Sequence, residues 1–134
     1  MIVVDASAIV ELIQGADAER DRIVRMLAQD DHWVVPEHFT VETAHALRGR
    51  ILIGRSDPDR FLAAIARLED LALDVWPTRP LLARIAELAD NATAYDAAYL
   101  ALAEELHAPL VTADAKFARV PGTRCTVLGP EQTL

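Results

Sequence analysis

Short apolar runs alternate along this chain with longer stretches in which apolar residues recur every third or fourth position. The runs read as strands and the stretches as amphipathic helices. The β-branched run Ile2 to Val4 predicts a first strand, ended by Asp5. A short helix follows over Ala6 to Ile13 and stops near Gly15. A second spans Ala18 to Gln29, with Ile23, Val24 and Leu27 at helical spacing. Trp33 to Val35 is a strand closed by Pro36, and a helix then runs from Glu37 to Leu47 and on toward Ile53, before Gly54. Asp57-Pro58 opens the next helix, with Ser56 or Asp57 as the cap and Pro58 in the first turn. Leu73 to Val75 is a strand ahead of Trp76-Pro77. Helices over Pro80 to Asp90 and Ala94 to Leu106 come next. A strand over Leu110 to Thr112, a helical turn over Ala113 to Ala118 and a last strand over Cys125 to Leu128 complete the pattern.

Strands that alternate with helices imply βαβ units and a parallel sheet covered on both faces. The class is α/β, with five parallel strands flanked by helices and right-handed crossovers. No repeat or long linker breaks the order, and 134 residues fit one domain spanning 1–134. In open sheets of this kind ligands bind beyond the carboxyl ends of the strands. The residues that follow each strand therefore carry the functional reading.

Composition changes the picture in two places. The chain is 52% hydrophobic and 25% charged, enough for a core, but its net charge is -8 and its pI about 4.8. That acidity argues against a nucleic-acid binder, which normally shows a basic footprint, unless the acids gather around cations that reverse the local field. A single cysteine, Cys125, excludes an intramolecular disulfide and suits a reducing cytosol. The first residues, Met1 to Asp5, lack the basic segment of a signal peptide, and no apolar run reaches membrane-spanning length. A cytoplasmic protein with no membrane partner is expected.

Four acids stand where such a cluster is needed. Asp5 follows the first strand and Asp114 the Leu110 to Thr112 strand, so both emerge at one edge of a parallel sheet. Asp96 lies in the first turn of a helix, and Glu42 lies inside the helix after the second strand. Convergent carboxylates repel and raise one another's pKa. Hard oxygen donors suit Mg²⁺ or Mn²⁺, which can activate water and stabilise charge on a phosphodiester. Each acid also has an ordinary reading. Asp5 or Ser7 can cap the first helix, Thr93 to Asp96 fits a capping box, Asp114 can cap its own turn, and Glu42 can be a solvated charge.

The strings around these acids resemble the PIN-domain ribonucleases, and within them the VapC-type toxins. Asp5-Ala6-Ser7-Ala8 after a β-branched strand resembles the family's opening Asp-x-Ser. Thr93-Ala94-Tyr95-Asp96-Ala97-Ala98-Tyr99-Leu100 resembles its third-acid helix, and Leu110-Val111-Thr112-Ala113-Asp114 its Thr-x-Asp segment. Glu42, in Val41-Glu42-Thr43-Ala44-His45-Ala46-Leu47-Arg48, stands at the second acid. The resemblance implies a PIN-like three-layer sandwich in which Asp5, Glu42, Asp96 and Asp114 bind Mg²⁺ or Mn²⁺. It implies that Ser7 and Thr112 orient those ligands, with Asn91 as a further positioning residue. It also implies an RNA substrate, a homodimer and a small VapB-like antitoxin, expected to bring a basic segment to the acidic pocket. A non-catalytic partner-binding module of the same fold is the alternative.

Other residues leave alternatives open. His38, Glu42 and His45 share a helix face that could bind Zn²⁺, though the spacing is no recognised zinc motif. Arg48, Arg50, Arg55, Lys116 and Arg119 are phosphate contacts or plain surface charges. Trp33 and Trp76 border strands as packing or rim residues, and Cys125 reads as a buried strand residue. Tyr99 and Leu102 share a face that packs in the core or at a dimer interface. A phospho-receiver or a haloacid-dehalogenase-like phosphatase also puts acids at strand ends. Both need a second acid after the first strand, where this chain has Ser7.

Overall fold

A computed structural model of the chain describes residues 1–130. The strands are β1 (Ile2–Val4), β2 (Trp33–Pro36), β3 (Asp74–Trp76), β4 (Leu110–Val111) and β5 (Val127–Leu128), in the order β3-β2-β1-β4-β5 with every pairing parallel. The helices are α1 (Ala6–Gln14), α2 (Asp17–Leu27), α3 (Phe39–Leu52), α4 (Pro58–Glu69), α5 (Leu82–Glu87) and α6 (Ala94–Leu106).

β1 lies at the centre because all three of its side chains are apolar and suit burial on both faces. Val3 pairs with Val34 of β2 on one side and Leu110 of β4 on the other. From β1 the chain steps outward to β2 and β3, then crosses back to β4 and β5. Right-handed crossovers put the connections of the two runs on opposite faces, which makes three layers. On one face α1 packs against α2, α3 and α4, and on the other α5 packs against α6. Val10, Leu47 and Ala64 join α1, α3 and α4 in a small cluster beside the main core.

Local chemistry sets the helix ends. Asp57 caps α4 by accepting from the Arg60 amide at 2.9 Å, with Pro58 in the first turn. Thr93 caps α6 by accepting from the Asp96 amide at 3.2 Å. At the end of α1 a side chain on Gly15 would run into the Glu11 carbonyl, so the chain can leave there only through glycine.

Several boundaries differ from the pattern. The helix expected over Pro80 to Asp90 is a 3-10 turn, Arg79–Leu81, followed by α5. It closes early because the Leu88 amide is shared between the Arg84 and Ile85 carbonyls, tightening the last turn. β4 stops at Val111, leaving Thr112 buried just beyond it, and the following turn is a 3-10 segment, Ala115–Arg119. β5 begins at Val127, so Cys125 precedes the strand and is half-buried rather than a buried strand residue.

Burial still pushes the Cys125 thiol up to about 11. Alkylation by iodoacetamide at neutral pH is therefore expected to run more than roughly tenfold slower than for a free thiol, since the thiolate is the reacting species. Mass spectrometry over a time course reads this, and modification at the free-thiol rate would show that the site opens. Tyr99 and Leu102 are both fully buried, which places them in the core. Trp33 is partly buried and donates its indole N–H to the Asp30 carbonyl at 2.8 Å, whereas Trp76 lies exposed on the edge strand β3. Among the described residues no helix is long and apolar enough to cross a membrane.

Candidate active site

The strand order reverses between β1 and β4, and Asp5 and Thr112 leave those two strands side by side. The Asp5 amide extends the ladder by donating to the Val111 carbonyl at 3.0 Å. Its side chain, 3% exposed, caps α1 through the Ser7 amide. Ser7 Oγ donates to Asp5 Oδ2 at 2.5 Å and Thr112 Oγ1 donates to the same oxygen at 2.8 Å. The two hydroxyls are 3.1 Å apart. Each also accepts a backbone bond, Ser7 from the Ala113 amide and Thr112 from the Asp114 amide, both at 3.0 Å. One closed network thus joins the two strand ends and fixes the Asp5 carboxylate through Oδ2. Burial raises Asp5 to about 6 despite the two hydroxyls that pull it down, and the charges of Glu42 and Asp96 push it further up.

Glu42 comes from the first turn of α3 and is not a solvated charge. Tyr99 of α6 donates its hydroxyl to Glu42 Oε1 at 2.9 Å. His38 Nε2 lies 3.7 Å from Glu42 Oε2, and the His38 ring stands edge-on to Tyr99 with centroids 5.0 Å apart. Burial raises the Glu42 carboxyl, the Asp96 charge adds to the rise, and Tyr99 and Lys116 oppose it. Burial also holds His38 below its ordinary range, and its Nε2 is buried without a hydrogen-bond partner.

Asp96 settles one of the open alternatives. The Thr93 cap is present, but the Asp96 carboxylate turns to the Lys116 ammonium, 3.0 Å from Oδ2. Asp114 combines both readings: Oδ1 accepts from the Lys116 amide at 3.0 Å and caps the 3-10 turn, while Oδ2 meets the Lys116 ammonium at 3.2 Å. The structure therefore brings Asp5, Glu42, Asp96 and Asp114 to one edge, with Ser7 and Thr112 beneath Asp5. Asn91 is exposed in the turn before α6, its amide donating to the Leu88 carbonyl at 3.0 Å. His45 is exposed and does not join His38 and Glu42. Arg50 is bound to Glu11 at 2.6 Å, while Arg48, Arg55 and Arg119 are exposed.

Two partnerships had no signal in the sequence pattern. Tyr99 reads as a core aromatic, and only the packing of α6 against β1 and β2 brings its hydroxyl to a carboxylate at the start of α3. Lys116 reads as a phosphate contact, yet its ammonium sits between two of the acids.

Among the described residues no three His, Cys, Asp or Glu side chains are gathered closely enough to hold a metal ion as they stand. The donor set nevertheless fits one. It is made of hard carboxylate oxygens, its innermost member is a buried acid, and a lysine cation already bridges its outer pair.

Residues 2–123 match the PIN domain, and the chain belongs to the PIN-domain family. Within that class it is similar to the VapC ribonucleases, being 34% identical over 126 residues to Ribonuclease VapC1 of Mycobacterium tuberculosis, which covers 93% of this chain and 94% of that protein. Its fold is that of the crystal structure of Mycobacterium tuberculosis VapC20, described as a sarcin-ricin loop cleaving toxin, with a TM-score of 0.67, 19% identity, and 90% and 95% of the two chains covered. It is also that of a toxin-antitoxin complex from Klebsiella pneumoniae, with a TM-score of 0.61, 17% identity, and 99% and 100% covered. The covered parallel sheet expected from the strand pattern is thus that of the family fold.

Proposed function

We propose that this chain is an endoribonuclease toxin dependent on Mg²⁺ or Mn²⁺, with Asp5, Glu42, Asp96 and Asp114 as the metal-binding and catalytic carboxylates. The observation that carries the reading is the convergence of four acids from four elements on one sheet edge, with Asp5 locked by Ser7 and Thr112. The ribonuclease relatives supply the reaction class. When bound, the metal supplies positive charge that makes water a competent nucleophile and neutralises the phosphodiester.

The protein's own groups do the rest. Ser7 and Thr112 hold Asp5 Oδ2 in place and leave its other oxygen outside their network. Tyr99 fixes Glu42 in the same way, from the core side. Thr93 sets the start of α6 and so the position of Asp96, and Asn91 has a weaker supporting part in the turn leading into that helix. Water attacks phosphorus, the P–O3′ bond breaks, and the products carry a 3′-hydroxyl and a 5′-phosphate. The RNA 2′-hydroxyl takes no part. The toxin-antitoxin likeness supports a small VapB-like antitoxin as partner, and a homodimer is the expected assembly. A basic segment of the antitoxin suits the acidic pocket.

The test is incubation of antitoxin-free protein with total cellular RNA and Mn²⁺ or Mg²⁺, beside EDTA and Asp96→Asn controls. Discrete cuts with 5′-phosphate ends are expected, lost in both controls. Intact RNA across a broad substrate set, with metal binding demonstrated by calorimetry, would instead favour a partner-binding module of the same fold.

A further inference from the structure

Lys116 holds an unusual place for the cation of an acidic site. Its backbone amide is bonded to Asp114 Oδ1 at 3.0 Å, which anchors the residue at the start of its 3-10 turn. Its ammonium then folds back to lie 3.0 Å from Asp96 and 3.2 Å from Asp114. The side chain remains 59% exposed. This is a cation on a flexible stem, bound to two carboxylates and free to swing away from them.

We infer that Lys116 is a resident counter-ion of the metal-free site, which the divalent ion displaces from Asp96 and Asp114 and which then serves as a contact for an RNA phosphate. The inference rests on the metal-dependent nuclease reading. Asp96 and Asp114 cannot give the same lone pairs to an ammonium and to a metal ion, so loading requires the ammonium to leave. Its anchor at Asp114 keeps it at the rim of the site once it has left. A basic side chain at that rim has the positioning role that lysine and arginine play toward phosphates. Without the ammonium, Asp96 and Asp114 would lie close together without the cation that pairs with both, at the edge already occupied by Asp5 and Glu42, an arrangement that like charges oppose. Lys116 therefore lowers metal affinity while supporting the empty site.

The test compares the parent with Lys116→Met and Lys116→Arg in Mn²⁺ titrations without RNA, read by calorimetry. Exposed ion pairs contribute modestly because solvent screens them, and two such pairs must break on loading. Lys116→Met is therefore expected to bind Mn²⁺ about fivefold to tenfold more tightly than the parent, with Lys116→Arg close to the parent. Its KM for RNA is expected to rise several-fold. Equal or weaker Mn²⁺ binding by Lys116→Met overturns the counter-ion role. A parent protein that binds no Mn²⁺ overturns the metal-dependent reading itself. Melting in EDTA then still tests Lys116: the Met variant should melt lower by roughly 3 °C and the Arg variant should not. Unchanged melting overturns the role without reference to metal.

Discussion

Asp5→Asn is expected to abolish RNA cleavage and, in EDTA, to make the protein more stable at neutral pH. The two effects have one origin. Asp5 is nearly fully buried, and burial lifts its carboxyl from 3.8 to about 6. An acid with a folded-state pKa above its unfolded value disfavours the fold wherever it is ionised. Below about pH 4 the group is protonated in both states and the variant gains nothing. Above about pH 6 it is ionised in both, and the cost reaches roughly 3 kcal/mol at the usual conversion of pKa to free energy. Asparagine has the same shape, and its carbonyl can still accept from Ser7 and Thr112. What it lacks is the negative charge that attracts a metal ion. Cleavage should fall at least about a hundredfold, the order seen when one preorganised electrostatic group is lost. Denaturant titrations in EDTA across this pH range, paired with rates on a mapped RNA, read both effects. Loss of activity with equal loss of stability would mean that Asp5 serves the fold rather than the chemistry.

The second large effect lies far from the acids. Arg84→Ala is expected to destabilise the protein by roughly 2 to 3 kcal/mol without altering cleavage at low temperature. Arg84 of α5 grips Glu104 of α6 with two donors, Nε at 2.7 Å and a terminal nitrogen at 3.2 Å. The same guanidinium reaches Glu87 at 3.0 Å and the Gly122 carbonyl at 2.6 Å. Glu104, whose side chain is 11% exposed, also accepts from the Arg124 amide at 2.8 Å. These bonds hold Glu104 below its ordinary range despite its burial. Removing the arginine leaves a half-satisfied buried carboxylate, which costs about 3 to 5 kcal/mol when burial is complete and less here, where the Arg124 amide remains. A melting point lower by roughly 10 °C is the expected reading. Arg84→Lys should recover little, because an ammonium cannot reproduce the fork. A variant that melts with the parent would show that α5 and α6 are held by apolar packing alone.

How much of this was legible in the sequence varies with the kind of interaction. Asp5 could be placed because a β-branched run followed at once by an acid marks a strand end, and the rule for parallel sheets turns strand ends into a site. Asp114 followed by the same logic, although its strand is one residue shorter than the apolar run. Edge strands were harder. β3 has three exposed residues and lies one residue later than Leu73 to Val75 suggests, because at an edge hydrogen-bond register outweighs hydrophobicity. The ordinary capping readings were true of Asp5, Thr93 and Asp114, which shows that capping and ligand roles do not exclude one another. Tyr99 and Glu42 are 57 residues apart, and no local pattern announces a bond between a residue of α6 and one of α3. The same holds for Lys116, whose partners follow from the turn after β4 and not from its own neighbours in the chain.

The reversal of strand order between β1 and β4 also has a consequence for a chain made from its amino end. Asp5 leaves the ribosome more than a hundred residues before Thr112 and Asp114. The hydroxyl that completes the Asp5 clamp comes from a residue 107 positions downstream. A nascent chain can build β1, β2 and β3 and still lack half of the acidic edge. The edge is thus complete only after Thr112 and Asp114 have been made, and until then the Asp5 carboxylate lacks one of its two hydroxyl partners.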